Sequence, residues 1–565
     1  MTVTAKKPNF LVIVADDLGF TDLSAFGGEI HTPNLQKLAD RGVRLTDFHT
    51  ASACSPTRSM LFSGTDNHIA GLGQMAEFAS RHPEKFAGKK GYEGYLNDRV
   101  VALPEILKEY GDYFTFISGK WHLGLLPEYW PSKRGFEKSF TLLPGAGNHY
   151  KYITKDENGE FVKFLPPLFA EDDRSVDAEK ELPEDFYSTD YFTDKGIEFI
   201  TSESRNGRPF FGCLTYTAPH WPYQAPQSRI DKYKGVYDGG PEELRRRRLA
   251  SAAKIGIIPE GVVPHPIKTI RKRWSELTEN ERKIEARIME TYAAMVEILD
   301  ENIGRVVDHL EKTGELDNTF ILFMSDNGAE GMLMEALPLT ALRINTFIEK
   351  YYNNTLDNIG KKDSFVFYGD QWAQAATSPH SMYKMWSTEG AIVCPLIIHY
   401  PPLLKSKQSK ILDAFTTVMD ILPTVLELAD VKHPGNFYKG REVAVPRGSS
   451  WVNYLADNSD RVHQEDTVTG WELFGQQAIR KGSYKALYIP APFGPEKWQL
   501  FNIKEDPGET KDLAETETRV LSELINLWAV YAAETGLIEL GSDLFEKERI
   551  EGEENEVIYR TILDS

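Results

Sequence analysis

The chain has 565 residues, 41% of them hydrophobic and 26% charged, and a formal net charge of −20. That length is too great for one compact core and predicts a large domain with a smaller companion, in a composition ordinary for a globular protein. The negative balance excludes a nucleic-acid partner, since no general positive field draws phosphates in, and an anionic substrate would need cations gathered locally.

The first predicted element is the apolar run Phe10–Val14. It is shorter than a usual signal-peptide core and ends in Asp16-Asp17, not in a small-residue cleavage site, so it reads as a β-strand. Thr32, Pro33 and Gly42 mark the N-cap, first position and end of a helix. "ASACSPTRSMLFSG" (Ala51–Gly64) then places Cys54 just before a helix predicted to begin at Pro56. A second strand, Tyr113–Ile117, leads to Lys120 and His122. A third, Pro209–Thr217, leads to His220 within "TAPHWPYQAP", where three prolines stiffen the backbone. The basic run Arg245–Arg248 reads as a solvated helix face. A long helix begins at Thr278, with Glu281 completing a capping box, and carries the stripe Ile288, Tyr292, Met295, Leu299, Ile303 and Val306 up to a stop at Gly314.

The fourth strand, Thr319–Met324, leads to Asp326-Asn327. Ala336–Trp386 begins helical, turns loop-like around Gly360 and Gly369, and is long enough to wall a site. After about residue 458 the pattern changes to antiparallel strands, a turn at Asp506-Pro507-Gly508 and an amphipathic Leu521–Ala532. The tail beyond Gly541 is acidic. The alternation of strands and helices predicts an α/β fold with a large, mostly parallel mixed sheet flanked by helices. A smaller C-terminal α+β domain with an antiparallel sheet completes it. The expected division is 1–458 for the catalytic domain and 459–565 for the C-terminal part with its tail. No stretch approaches the roughly 20 apolar residues of a membrane span.

All four strands end in chemically capable residues, and in parallel sheets such ends share one rim. Asp16, Asp17, Asp326 and Asn327 offer hard oxygen ligands suited to Ca²⁺, with Mg²⁺ as the alternative, and not to zinc. Each pair alone also fits a helix cap. Lys120 and His122 share one face if their strand continues that far; otherwise they are an exposed strand end. His220 fits a packed ring in a rigid loop equally well, and Lys384 by itself is an ordinary surface lysine. Cys54 reads as a low-pKa nucleophile beside Arg58 or as a buried structural thiol. Either sits badly beside a hard cation, and the conflict disappears if the residue becomes an oxygen nucleophile. The three cysteines, Cys54, Cys213 and Cys394, suggest no disulfide framework and a reducing compartment, so the expected location is cytoplasmic.

Cys54-Ser55-Pro56-Thr57-Arg58 resembles the Cys-x-Pro-x-Arg signature of type I sulfatases, of the alkaline-phosphatase-like superfamily. "VADDLG", "GKWHLG", "APHWPY", "SDNG" and the late "AIRKGSYKALY" and "LFNIKEDPGETKDLA" resemble the family's other blocks in the family's order. The similarity spans nearly the whole chain and looks closest to cytosolic bacterial-type arylsulfatases, through "NIG" and "YGDQWAQAATSP" before Lys384. Ser63, where many members have threonine, and "EGAIVCP" depart from the pattern, and Cys394 is expected to alter the wall of the site.

The resemblance implies that a converting enzyme oxidises Cys54 to Cα-formylglycine, whose hydrate attacks sulfur and forms a covalent sulfo-enzyme. It implies Ca²⁺ held by Asp16, Asp17, Asp326, Asn327 and modified Cys54, with Asp326 also activating the attacking hydroxyl. Arg58, Lys120, His220 and Lys384 would surround the sulfate, His220 with Lys384 would protonate the leaving alcohol or phenol, and His122 would release sulfate. The expected substrates are small aryl or alkyl sulfate monoesters. A phosphonate monoester or phosphodiester hydrolase on the same fold, and an anion-binding protein with an unmodified site, are the alternatives.

Overall fold

The structure is a computed structural model that describes residues 6–540, apart from 161–164, 270, 332–343, 408–409 and 492–493. Its centre is a ten-stranded sheet. In chain order the strands are β1 Asn9–Ala15, β2 Val43–Leu45, β3 Phe114–Lys120, β4 Lys138–Leu142 and β5 Phe169–Glu171, followed by β6 Arg174–Val176, β7 Phe210–Thr215, β8 Thr319–Ser325, β9 Leu396–His399 and β10 Lys410–Leu412. They lie in the order β10-β2-β9-β8-β1-β7-β3-β4-β5-β6. The middle five, β8 to β4, are parallel. β9 runs against β8 and β2, and β5 and β6 run antiparallel at the far edge. The sheet is therefore mixed and mostly parallel in its core, as the alternation predicts.

β1 is buried along its whole length because both faces of the sheet are covered. Leu11, Ile13 and Ala15 enter one core, and Phe10, Val12 and Val14 the other. Register sets the site. Val14 pairs with Thr215 on one side and Met324 on the other, and Gly119 pairs with Thr215. The carboxyl ends of β8, β1, β7 and β3 are thus level, and the polar residues after each emerge on one rim.

The long helix is Glu279–Lys312, opened by the Thr278–Glu281 capping box. Its predicted stripe is buried throughout, in the same core as Leu11, Ile13 and Ala15 of β1. The helix Pro33–Arg41 departs from expectation at its start. Thr32 Oγ1 accepts from Ser24 N instead of capping, and the carboxylate of Asp300, from the long helix, accepts from Asn34 N and Leu35 N at 3.0 and 2.7 Å. The basic run on the helix Gly240–Lys254 also departs from expectation. Arg246 and Arg247 are exposed, but Arg248 is 1% exposed and paired with Asp22 and Glu29 at 2.5 and 2.7 Å. A charge run shows which residues are basic, not which of them meet buried acids.

The C-terminal unit is a four-stranded antiparallel sheet, Val468–Leu473, Gln476–Lys481, Tyr484–Tyr488 and Trp498–Asn502. The helix Thr518–Thr535 packs Leu524, Trp528 and Tyr531 against Ile479, Ala486 and Leu500. The predicted turn is present, with Glu509 N donating to Asp506 O. Residues 336–343 of the long segment, and the acidic tail, lie outside the described residues. Among the described residues no helix is long and apolar enough to cross a membrane.

Candidate active site

Cys54 is the first residue of the helix Cys54–Ser63, two residues earlier than the proline suggested, and is 1% exposed. Its Sγ lies 3.2 Å from His122 Nδ1. Arg58, one turn on, turns inward on the same helix. Its Nε and Nη2 donate to Asp326 Oδ2 at 3.1 and 2.8 Å, and its Nη1 to the carbonyl of Lys120 at 2.7 Å. The Cys54 helix is thereby tied to the ends of β8 and β3.

The residues after the strands close the site from below. Lys120, the last residue of β3, sends Nζ to Asp16 Oδ2 at 2.7 Å. Lys384 Nζ reaches Asp17 Oδ1 at 2.8 Å and Glu330 at 3.3 Å. His220 Nε2 is 3.4 Å from Asp17 Oδ2, while its Nδ1 donates to the carbonyl of Trp221 at 2.7 Å. Asn327 Nδ2 donates to Asp17 Oδ1 at 2.7 Å. The strand does not carry Lys120 and His122 on one face, because it ends at Lys120. His122 instead reaches Cys54 from a left-handed turn at φ 56, and Asp17 sits at φ 67. Neither is glycine, and such backbone costs about 1–3 kcal/mol per residue, a strain that clusters where side chains must be aimed.

The electrostatics follow from burial against pairing. Burial pushes the Cys54 thiol up, but Lys120, His122 and Lys384 outweigh it and hold its pKa below the ordinary value. Burial lowers His122, yet Cys54 and Glu77 bring it up to about 9. His220 is pushed well down by burial and by Lys384 and Lys120. Asp326 is raised by burial and by Asp16, against the pull of Arg58. An anion among these cations would relieve the load on His220.

The acidic residues fit a hard cation. Asp16 Oδ1 and Asn327 Oδ1 are buried and accept no hydrogen bond among the described residues. Asp16, Asp326 and Cys54 each offer an atom within 4.8 Å of the others. Buried oxygens left without donors are what Ca²⁺ or Mg²⁺ takes, and the sulfur is the one soft member.

Behind the ligands, Asp22 Oδ2 accepts from Gly19 N and Tyr292 Oη at 2.7 and 2.6 Å, fixing the turn after β1. Cys394 is fully buried, with its Sγ 3.4 Å from Thr50 Oγ1. Three residues escaped the sequence reading. Glu77 meets His122 Nε2 at 2.9 Å, Glu330 meets Lys384, and Gln476, from the C-terminal sheet, holds Met385 O and Ser387 N on the Lys384 loop. None stands in a block that marks chemistry, so no local pattern points to them. The proximity of Glu330 to Asp326 is the one signal in reach.

A family model described as Sulfatase matches residues 8–431. The chain is 54% identical over 540 residues to an uncharacterized sulfatase of Schizosaccharomyces pombe, covering 95% of this chain and 96% of that protein. It is 36% identical over 430 residues to an arylsulfatase of Klebsiella aerogenes, covering 75% of this chain and 87% of that one. In structure it is similar to Ps i-CgsB in complex with k-i-k-neocarrahexaose, with a TM-score of 0.67 at 21% identity over 98% of this chain and 100% of the other, a likeness of fold.

Proposed function

The chain belongs to the sulfatase family, and from that premise we propose that it hydrolyses small aryl or alkyl sulfate monoesters to an alcohol or phenol and inorganic sulfate, with residue 54 as Cα-formylglycine and Ca²⁺ beside it. The observation that carries this reading is the meeting of Cys54 with His122 at a helix N-terminus, ringed by Arg58, Lys120 and Lys384 and by oxygens without donors. A helix N-terminus favours negative charge, and three cations stand around it, each paired with an acid that a bound cation would engage.

In this reading Asp16, Asp17, Asp326 and Asn327 would hold the ion, which would supply Lewis-acid chemistry beside residue 54. The hydrated aldehyde supplies two hydroxyls, one to attack sulfur and one to give up its proton when sulfate leaves. Arg58, Lys120, His220 and Lys384 take the charge that develops on the sulfate oxygens. His220, with Lys384, delivers a proton to the leaving oxygen, and His122 takes one from residue 54. Residues 1–458 would carry the reaction and 459–565 would support it, in a cytoplasmic protein matured by a converting enzyme.

The test combines two measurements on one folded sample. The mass of the tryptic peptide ending at Arg58 reports whether Cys54 has become the aldehyde or its hydrate. Turnover of one phenol's sulfate, phosphonate and phosphodiester esters reports the reaction. An aldehyde with sulfate as the best substrate supports the proposal. An aldehyde with a phosphorus ester preferred gives the site to phosphoryl or phosphonyl hydrolysis. Many turnovers with Cys54 unmodified would refute the mechanism.

A further inference from the structure

Glu77 lies on the short helix Ala76–Arg81, away from every strand end that builds the site. Its Oε1 is 2.9 Å from His122 Nε2, while His122 Nδ1 is 3.2 Å from Cys54 Sγ. A carboxylate only accepts, so the Nε2 edge must carry its hydrogen. Oxidation of Cys54 removes the thiolate that favours the charged ring, and in the neutral ring the lone pair sits on Nδ1, facing residue 54. The ring has little room to turn away. A Cβ at Gly145 would stand 2.6 Å from His122 Cε1 and 2.7 Å from Nε2, so bare backbone packs against the imidazole there. Glu77 Oε2 is buried and accepts no hydrogen bond among the described residues, and the side chain that Oε1 meets is His122. The helix is itself anchored. Gln74 donates to Glu472, and Phe78 packs on Phe474 with ring centroids 5.0 Å apart.

We propose that Glu77 is a positioning residue that commits His122 to act as a base toward residue 54, in the step that expels sulfate and not in the step that transfers it. The inference rests on the sulfatase reading above. In that step the proton of the remaining hydroxyl on residue 54 passes to His122 Nδ1. The O–H electron pair becomes the second bond of the restored carbonyl, and the C–O bond to sulfate breaks with its pair leaving on sulfate. The imidazolium so formed is stabilised by the Glu77 carboxylate at its far edge. The earlier transfer of sulfate to residue 54 asks nothing of His122 Nδ1.

The experiment compares wild type and Glu77→Gln, both carrying the aldehyde by mass, with 4-nitrophenyl sulfate. It follows the first burst of phenol, the steady rate, and the fraction of the residue-54 peptide that carries a sulfo group during turnover. The variant should keep its burst while its steady rate falls roughly ten- to a hundredfold, part of what a general base contributes. The sulfo-peptide should accumulate above the wild-type level. A second pair, Cys54→Ser with and without Glu77→Gln, reads the single transfer alone, and its rate should not change. An unchanged steady rate in Glu77→Gln overturns the proposal. So does a fall in burst or single-transfer rate parallel to the steady rate, which would mark a merely structural role. Failure of the aldehyde-bearing wild type to hydrolyse the ester would remove the sulfatase reading and this inference with it. Wild-type activity beside an indifferent Glu77→Gln removes the inference alone.

Discussion

Arg58 shows how much one side chain is asked to do. Its guanidinium makes two bonds to Asp326 and one to the carbonyl of Lys120, joining three pieces of chain in a fixed plane. An ammonium keeps the charge but lacks the fork. Arg58→Lys should therefore lower kcat/KM by about a hundredfold on converted protein, in the range seen when a preorganised charge-stabilising donor is removed. A loss of less than threefold would show that charge alone suffices. Cys54→Ser should attack once and stop, since it has no second hydroxyl to give. Mass spectrometry should find a stable sulfo group on the introduced serine, and repeated turnover would contradict the assignment of residue 54. These residues were legible because each follows an apolar run or sits in a dense signature. Glu77 and Gln476 were not, because what they do depends on partners 45 and 91 residues away in the chain.

The loop that presents Lys384 is held mostly by other elements. Lys384 N and Met385 N donate to Ala329 O and Ser52 O. Gln476 bonds Met385 O and Ser387 N, and Glu509 accepts from Glu389 N at 2.9 Å. Gln476→Leu leaves two buried backbone groups without partners, at about 1–3 kcal/mol each. It should lower the urea midpoint and also kcat, because the loop aims a cation; an unchanged kcat would mean the loop holds its shape unaided. A second joint to the C-terminal sheet is buried His68, between Asp66 at 2.9 Å and Glu472 at 3.1 Å. Burial opposes its charge, but Asp66 and Glu472 lift its pKa to about 9. Its folded pKa is above its unfolded value, so its contribution is complete below about pH 6.5 and is lost as pH rises through about 9. The melting temperature of the wild type should fall across that window more steeply than that of His68→Gln; parallel curves would contradict the assignment. The capping box of the long helix could be read locally, whereas the Asp300 cap and the buried Arg248 could not, since tertiary partners override local patterns.

The sheet itself was the most readable feature, because strands covered on both faces are apolar throughout and end abruptly in charge. Its consequence is a site with Asp16, Asp17 and Asp326 packed together, acids that a bound cation would reconcile. Dialysis against a chelator should abolish turnover and lower the melting temperature. Calcium at about a hundred times its Kd should restore roughly 2.7 kcal/mol of stability; a melting curve indifferent to both would argue against the ion. The burial of Cys54 also bears on time. Cys54 is 1% exposed in the folded protein, and the Lys384 loop near it is held by Gln476 of the C-terminal sheet, so a converting enzyme would need the chain before that sheet closes the loop. Synthesis delivers Cys54 roughly 400 residues before Gln476, an interval of roughly 20–80 s at ordinary rates of elongation. Maturation would then be a race on the nascent chain. A converting enzyme should oxidise the released peptide around Cys54 but leave the finished protein untouched, so that a molecule folding before it is reached remains inactive for life.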